Sequence, residues 1–256
     1  MIPLLIFLQS VAGCNPLLTV KTTAVDFRVD QLNNIYLVYD TYIEKLDPNG
    51  KLLFRTSDPG FGVITSLEVS DPLKPFLFYR DQGIIYPMDN TQSLQGAPIE
   101  LFRTTMQVEA VGWSRDNHYW VWDAYRSELV RLDRGLNRVN ATGNLQTLLG
   151  LTLSPTQLIE VGGYWVYLVD PKQGLFVFDS YGNYYSRREI NAPYGIQVLD
   201  KIILYSDGKS LCTLEKSLVN ESSFPLECPS KGRVLQVNDK IYFLGDGMLS
   251  VCTTGN

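Results

Sequence analysis

The chain has 256 residues, 45% hydrophobic and 19% charged, with fifteen tyrosines. That composition excludes a disordered polymer and suits a single ordered domain rich in half-buried strands. A net charge of −5 and a pI near 5.0, with no long Lys/Arg cluster, exclude nucleic acid as an electrostatically attracted partner.

Residues 1–13 are apolar from Ile2 to Leu8 and then small, too short a run to span a bilayer as a helix. They read as a secretory signal, although no Lys or Arg precedes the apolar stretch. Val11-Ala12-Gly13-Cys14 resembles the bacterial lipobox, which implies a mature chain beginning at Cys14 with its sulfur acylated and the protein anchored to a membrane. The alternative is a buried first strand with a chance cysteine. Asn15 follows Cys14 where inner-membrane retention is associated with aspartate, so by the same resemblance the expected address is the outer membrane. No acidic run follows, which points to its periplasmic face.

The remaining chain, 14–256, reads as one domain. Six apolar runs each stop on an aspartate, at Asp40, Asp81, Asp123, Asp170, Asp207 and Asp246, recurring every 37 to 47 residues. That period belongs to four-stranded propeller blades. The first repeat divides into strands at Val25–Val29, Ile35–Tyr39, Tyr42–Leu46 and Lys51–Arg55, with turns at Asn33-Asn34 and Asp47-Pro48-Asn49-Gly50. The runs before each aspartate are apolar on both alternating faces, as in strands covered by a blade on either side. Third strands such as 129–133 alternate more, which predicts a wetter position nearer the rim. In the fourth repeat the expected strands are Val166–Val169 and Leu175–Phe178, followed by the turn Asp179-Ser180-Tyr181-Gly182-Asn183.

The last repeat has strands at Val234–Val237, Lys240–Leu244 and Leu249–Thr253 and lacks a fourth, while Leu17–Lys21 is spare before the first. The spare strand predicts closure of blade six by the N-terminal segment, hence an all-β, six-bladed propeller. The pattern resembles the six-bladed propellers of the NHL and gluconolactonase type, in which an Asp-x-x-Gly turn follows the third strand. With the lipobox, it is similar to propeller lipoproteins of Bacteroidota.

Candidate chemistry is sparse. The six aspartates read as turn-closing acceptors in preference to a ring of carboxylates around a cation. His118 is the only histidine, which excludes a multi-histidine metal site, and no Gly-x-Ser-x-Gly, P-loop or His-Glu-x-x-His pattern occurs. Glu68, Glu109 and Glu160 are either ligands of the gluconolactonase kind or polar positions facing a wet channel. No metal or cofactor site is assigned, and a non-enzyme is expected. Beyond Cys14, a Cys212–Cys228 bridge with Cys252 as a buried thiol is the first reading, and three reduced cysteines the second.

Loops leaving second strands and loops joining blades gather on one face of a propeller. Here they offer Tyr42, Phe61, Tyr125, Arg126, Lys172 and Tyr194 as an expected partner-binding rim. The expectation is a non-enzymatic scaffold serving a periplasmic or outer-membrane protein complex. The alternative is a small-ligand or metal-dependent hydrolytic propeller.

Overall fold

The computed structural model describes residues 16–217, 220–225 and 232–253. The expected signal segment, Cys14 and Cys228 lie outside the described residues. Six four-stranded antiparallel sheets, the blades of a β-propeller, are distributed over two compact units.

The first unit takes the chain up to Asp58 and again from Ala192. It begins with β1 (Leu18–Lys21). Blade one is β2 (Asp26–Val29), β3 (Ile35–Val38), β4 (Ile43–Leu46) and β5 (Leu52–Arg55). The second unit, Pro59–Asn191, holds three blades. Blade two is β6 (Ser66–Glu68), β7 (Phe76–Tyr79), β8 (Ile84–Pro87) and β9 (Ile99–Glu100). Blade three is β10 (Val108–Ser114), β11 (His118–Asp123), β12 (Glu128–Leu132) and β13 (Arg138–Ala141). Blade four is β14 (Gln157–Val161), β15 (Trp165–Asp170), β16 (Gly174–Asp179) and β17 (Tyr184–Arg188). Back in the first unit, blade five is β18 (Ile196–Val198), β19 (Ile202–Ser206), β20 (Ser210–Glu215) and β21 (Glu221–Pro225). Blade six is β22 (Gly232–Val237), β23 (Lys240–Gly245) and β24 (Met248–Thr253), with β1 paired to β24.

The closing strand is therefore N-terminal, as its unmatched partner predicted. Leu18 lies opposite Val251 and Val20 opposite Leu249. Both side chains pack on a cluster that includes Phe27, Leu37, Tyr242 and Leu249. Second strands are buried on both faces, with β3, β7 and β19 wholly enclosed.

Third strands depart from expectation. β12 is buried at every position, including Glu128 and Arg131. The polar side chains are tolerated because partners follow them inside: Arg131 Nε donates to Ser114 Oγ at 2.7 Å, and Arg138 Nη2 donates to Glu128 Oε1 at 2.6 Å. The wet positions lie one strand further out, where β5 is exposed throughout.

The turn between third and fourth strands repeats through four blades. Asp47, Asp89, Asp133 and Asp179 each accept, at Oδ1, the backbone N–H four residues on. The fourth turn residue is left-handed in all of them, at Gly50 (φ 82°), Gln92 (67°), Leu136 (63°) and Gly182 (92°). Sequence reading identified only the two turns that carry glycine. Asn137 holds the exposed Asp133 carboxyl below the usual carboxylate range by hydrogen bonding.

The cysteine assignment is corrected. Cys212 is a buried free thiol, whereas Cys252 is disulfide-bonded, so its partner lies outside the described residues. Adjacency along a hairpin brings backbones together, but the thiol of Cys212 lies beside Tyr205 and Glu221, and burial pushes it up to about 11. Iodoacetamide labelling of the native protein at pH 8 should therefore leave Cys212 largely unmodified and label it after unfolding, while Cys252 is alkylated only after reduction. Rapid native labelling of Cys212 would contradict this placement.

Candidate functional site

The stop aspartates divide into two groups. Asp170 is buried and accepts from Ser154 N, Lys172 N and Gln173 N, and Asp207 accepts from Lys209 N and Ser210 N. Buried Asp123 accepts from Arg126 N at 3.3 Å. Asp40, Asp81 and Asp246 are exposed. The turn-closing role is thus filled by buried Asp123 and Asp170 and by half-buried Asp207. Among the described residues no three His, Cys, Asp or Glu side chains converge.

The acids on innermost strands also separate. Glu160 accepts from Ser114 Oγ at 2.6 Å, Arg115 N at 3.0 Å and Trp120 Nε1 at 2.5 Å, so it joins blade four to blade three. Glu68 Oε1 closes its own turn by accepting from Ser70 N. Glu109 accepts from Gln107 Nε2 at 3.3 Å. His118 opens β11 and is half-buried.

All six expected rim residues lie in loops that follow a second strand or join two blades, but their surroundings differ. In the second unit, the Tyr125–Arg126 turn is held on several sides. Ala124 N donates to Gln107 O at 2.7 Å, Asn144 Nδ2 donates to Arg126 O at 2.8 Å, and Leu145 N donates to Ser127 O at 2.8 Å. Asn144 also caps the short helix Leu145–Leu149 by accepting from Thr147 N at 2.7 Å. The backbone is fixed while the Tyr125 side chain remains 67% exposed. Lys172 is exposed, its N–H donating to Asp170. Phe61 is instead half-buried, with ring centroids 5.5 Å from Tyr79 and 6.1 Å from Tyr86. Its apolar ring gains more from covering those tyrosines than from facing water.

In the first unit, Tyr42 stacks on Tyr39 at 4.3 Å and 13°, and the Arg55 guanidinium lies 4.0 Å over its ring. Tyr39 OH is 3.0 Å from Thr22 Oγ1 and donates to Glu44 Oε2 at 3.0 Å. The stack flanks a cleft of about 650 Å³ that also takes in Lys21, Thr23 and Met248. Tyr194 is half-buried beside Gly208.

Sequence reading missed two side chains that now stand out. The 3₁₀ turn Leu101–Arg103 buries Leu101, onto whose carbonyl Thr104 N, Thr105 N and Thr105 Oγ1 all converge. This anchored turn leaves Phe102 61% and Met106 67% exposed at a pocket of about 330 Å³ with Arg80, Gln82, Gln107 and Glu109. The available signal was an apolar side chain on either side of the polar run Arg103-Thr104-Thr105.

A charged trio on the innermost strands of the first unit was missed as well. Arg28 Nη1 donates to Asp26 Oδ2 at 2.7 Å and to Phe27 O at 2.8 Å, while Arg233 Nε reaches Asp26 Oδ1 at 2.7 Å. Burial alone would raise the Asp26 carboxyl, but the Arg233 and Arg28 charges outweigh it and hold it below the usual carboxylate range. Burial and the neighbouring Arg28 charge bring Arg233 down to about 10.

No protein-family model matches the chain, and no curated protein does. Solved structures do. The propeller domain of Cps50 (Swd1) from Myceliophteria thermophila aligns at a TM-score of 0.65 and 9% identity, over 94% of this chain and 99% of that one. BBS1N, crystallised in complex with ARL6DN, aligns at 0.58 and 11%, over 91% and 78%. Virginiamycin B lyase from Staphylococcus aureus, as a catalytically inactive histidine-to-alanine form with quinupristin, aligns at 0.64 and 9%, over 92% and 98%. At these identities the likeness establishes the propeller fold, which serves enzymes and non-enzymes alike.

Proposed function

We propose that this propeller is a non-enzymatic protein-interaction scaffold, lipid-anchored through Cys14 at the periplasmic face of the outer membrane, acting as accessory subunit of a protein assembly, secretion or transport complex. The observation that carries the reading is the set Phe102, Met106 and Tyr125, large side chains standing exposed on turns whose backbones are fixed by hydrogen bonds. Aromatic and methionine side chains are enriched at interfaces, and a turn whose backbone is already fixed has only side-chain freedom left to lose on docking. The complex of BBS1N with ARL6DN supports the reading to the extent that a domain of this fold engages a protein partner.

Crosslinking and pull-down from native membranes test it. The wild-type chain is expected to retain a defined complex, and Tyr125→Ala/Arg126→Glu and Phe102→Asp/Met106→Gln to weaken it about 30-fold, the size of a hot-spot loss of about 2 kcal/mol. Cys14→Ser is expected to move the chain from the membrane to the soluble fraction. A complex unchanged by both loop variants would remove the interface, and lactone turnover by the pure protein would replace the scaffold reading with the hydrolytic one.

A further inference from the structure

We propose that Arg28 and Arg233 form a binding site for the oxyanion group, phosphate or carboxylate, of a small ligand, at the innermost strands of blades one and six. The site shares no residue with the partner loops, so it holds or fails independently of the scaffold reading.

Asp26 opens β2 and Arg28 follows two residues later, which places both on the same side of a strand with a period of two. Arg233 is the second residue of β22, an innermost strand next to β2. Each oxygen of the Asp26 carboxylate is claimed by one guanidinium, Oδ2 by Arg28 and Oδ1 by Arg233. The trio therefore carries one surplus positive charge, although its side chains are only 16–24% exposed.

A purely structural ion pair needs one cation for this carboxylate, and a second half-buried cation costs stability unless something neutralises it. The depressed ionisation of Arg233, caused by burial and the Arg28 charge, expresses the same deficit. Guanidinium offers five N–H donors in a planar fork. Arg233 engages Asp26 through Nε, and its Nη1 and Nη2 have no protein partner among the described residues. Arg28 uses Nη1 for both of its bonds, leaving Nε and Nη2 likewise unclaimed. None of these four nitrogens is sealed from solvent. Two forks sharing one carboxylate, with donors still open, match the paired acceptor oxygens of a phosphate or carboxylate.

The test is titration of the purified full chain with sodium phosphate and, separately, sodium acetate, followed by calorimetry and by the unfolding midpoint, with sodium chloride holding ionic strength constant. A saturable rise in midpoint with one of the two anions is expected, and the anion that binds more tightly identifies the ligand class. Arg233→Gln and Arg28→Lys, the second of which keeps the charge but removes the fork, should each weaken binding about tenfold or more. Asp26→Asn should bind the anion more tightly than wild type while unfolding earlier in its absence, because the two arginines then lack the carboxylate they share. A midpoint that responds equally to chloride, or an anion affinity unchanged in Arg28→Lys and Asp26→Asn, overturns the proposal.

Discussion

A chain shortened to begin at Thr22 is expected to lose roughly 3–5 kcal/mol of unfolding free energy, a large share of the 5–15 kcal/mol typical of a domain. The loss has two sources. Leu18 and Val20 are half-buried against the cluster around Phe27, Tyr242 and Leu249, and removing them costs about 1–2 kcal/mol each. The four-residue ladder from β1 to β24 also disappears, leaving β24 with an unpaired edge. Earlier urea unfolding should therefore be accompanied by self-association, measurable by light scattering. Leu17→Ala provides the control, since Leu17 is 62% exposed and should change stability little. An unchanged midpoint in the shortened chain would show that β1 does not close blade six.

Glu160→Ala is expected to destabilise the second unit by about 3–4 kcal/mol, because one carboxylate serves three donors there. Trp120 is fully buried and Ser114 nearly so, and neither can turn to water once the acceptor is gone. The damage extends to Arg131, which donates to Ser114 Oγ and to the Arg115 carbonyl. Glu160→Gln should cost less, since its amide oxygen still accepts while its NH₂ group faces other donors. Urea titrations followed by tryptophan fluorescence measure both variants, and a loss below about 1 kcal/mol for Glu160→Ala would reduce the bracket to a surface contact.

How far the sequence could be read depended on whether a residue's role was local. Second strands such as Ile35–Val38 and Phe76–Tyr79 announce themselves because both faces are apolar, and only enclosure between blades accounts for that. The Asp47–Gly50 and Asp179–Gly182 turns were legible for a similar reason, since their acceptor and left-handed residue lie within four positions. The same turn in blades two and three was hidden by Gln92 and Leu136, which adopt the conformation without the residue that signals it.

Loop position was legible for all six expected rim residues, but the contacts that Phe61 and Tyr42 make with Tyr79, Tyr86, Tyr39 and Arg55 follow from no spacing rule. Phe102 and Met106 become visible only when burial of Leu101 fixes the turn that turns them outward.

By itself, the sequence determined the all-β class, the six-blade count and closure by the N-terminal strand, because these follow from hydrophobic period and from matching an unpaired strand to a missing one. Tertiary structure alone decided which polar residues are enclosed, which thiol is free and which exposed side chains stand together. Several of those outcomes depend on contacts that no local pattern announces, such as Glu160 with Trp120, 40 residues away, and Arg233 with Asp26, where burial and the arrival of a partner settle each group's state.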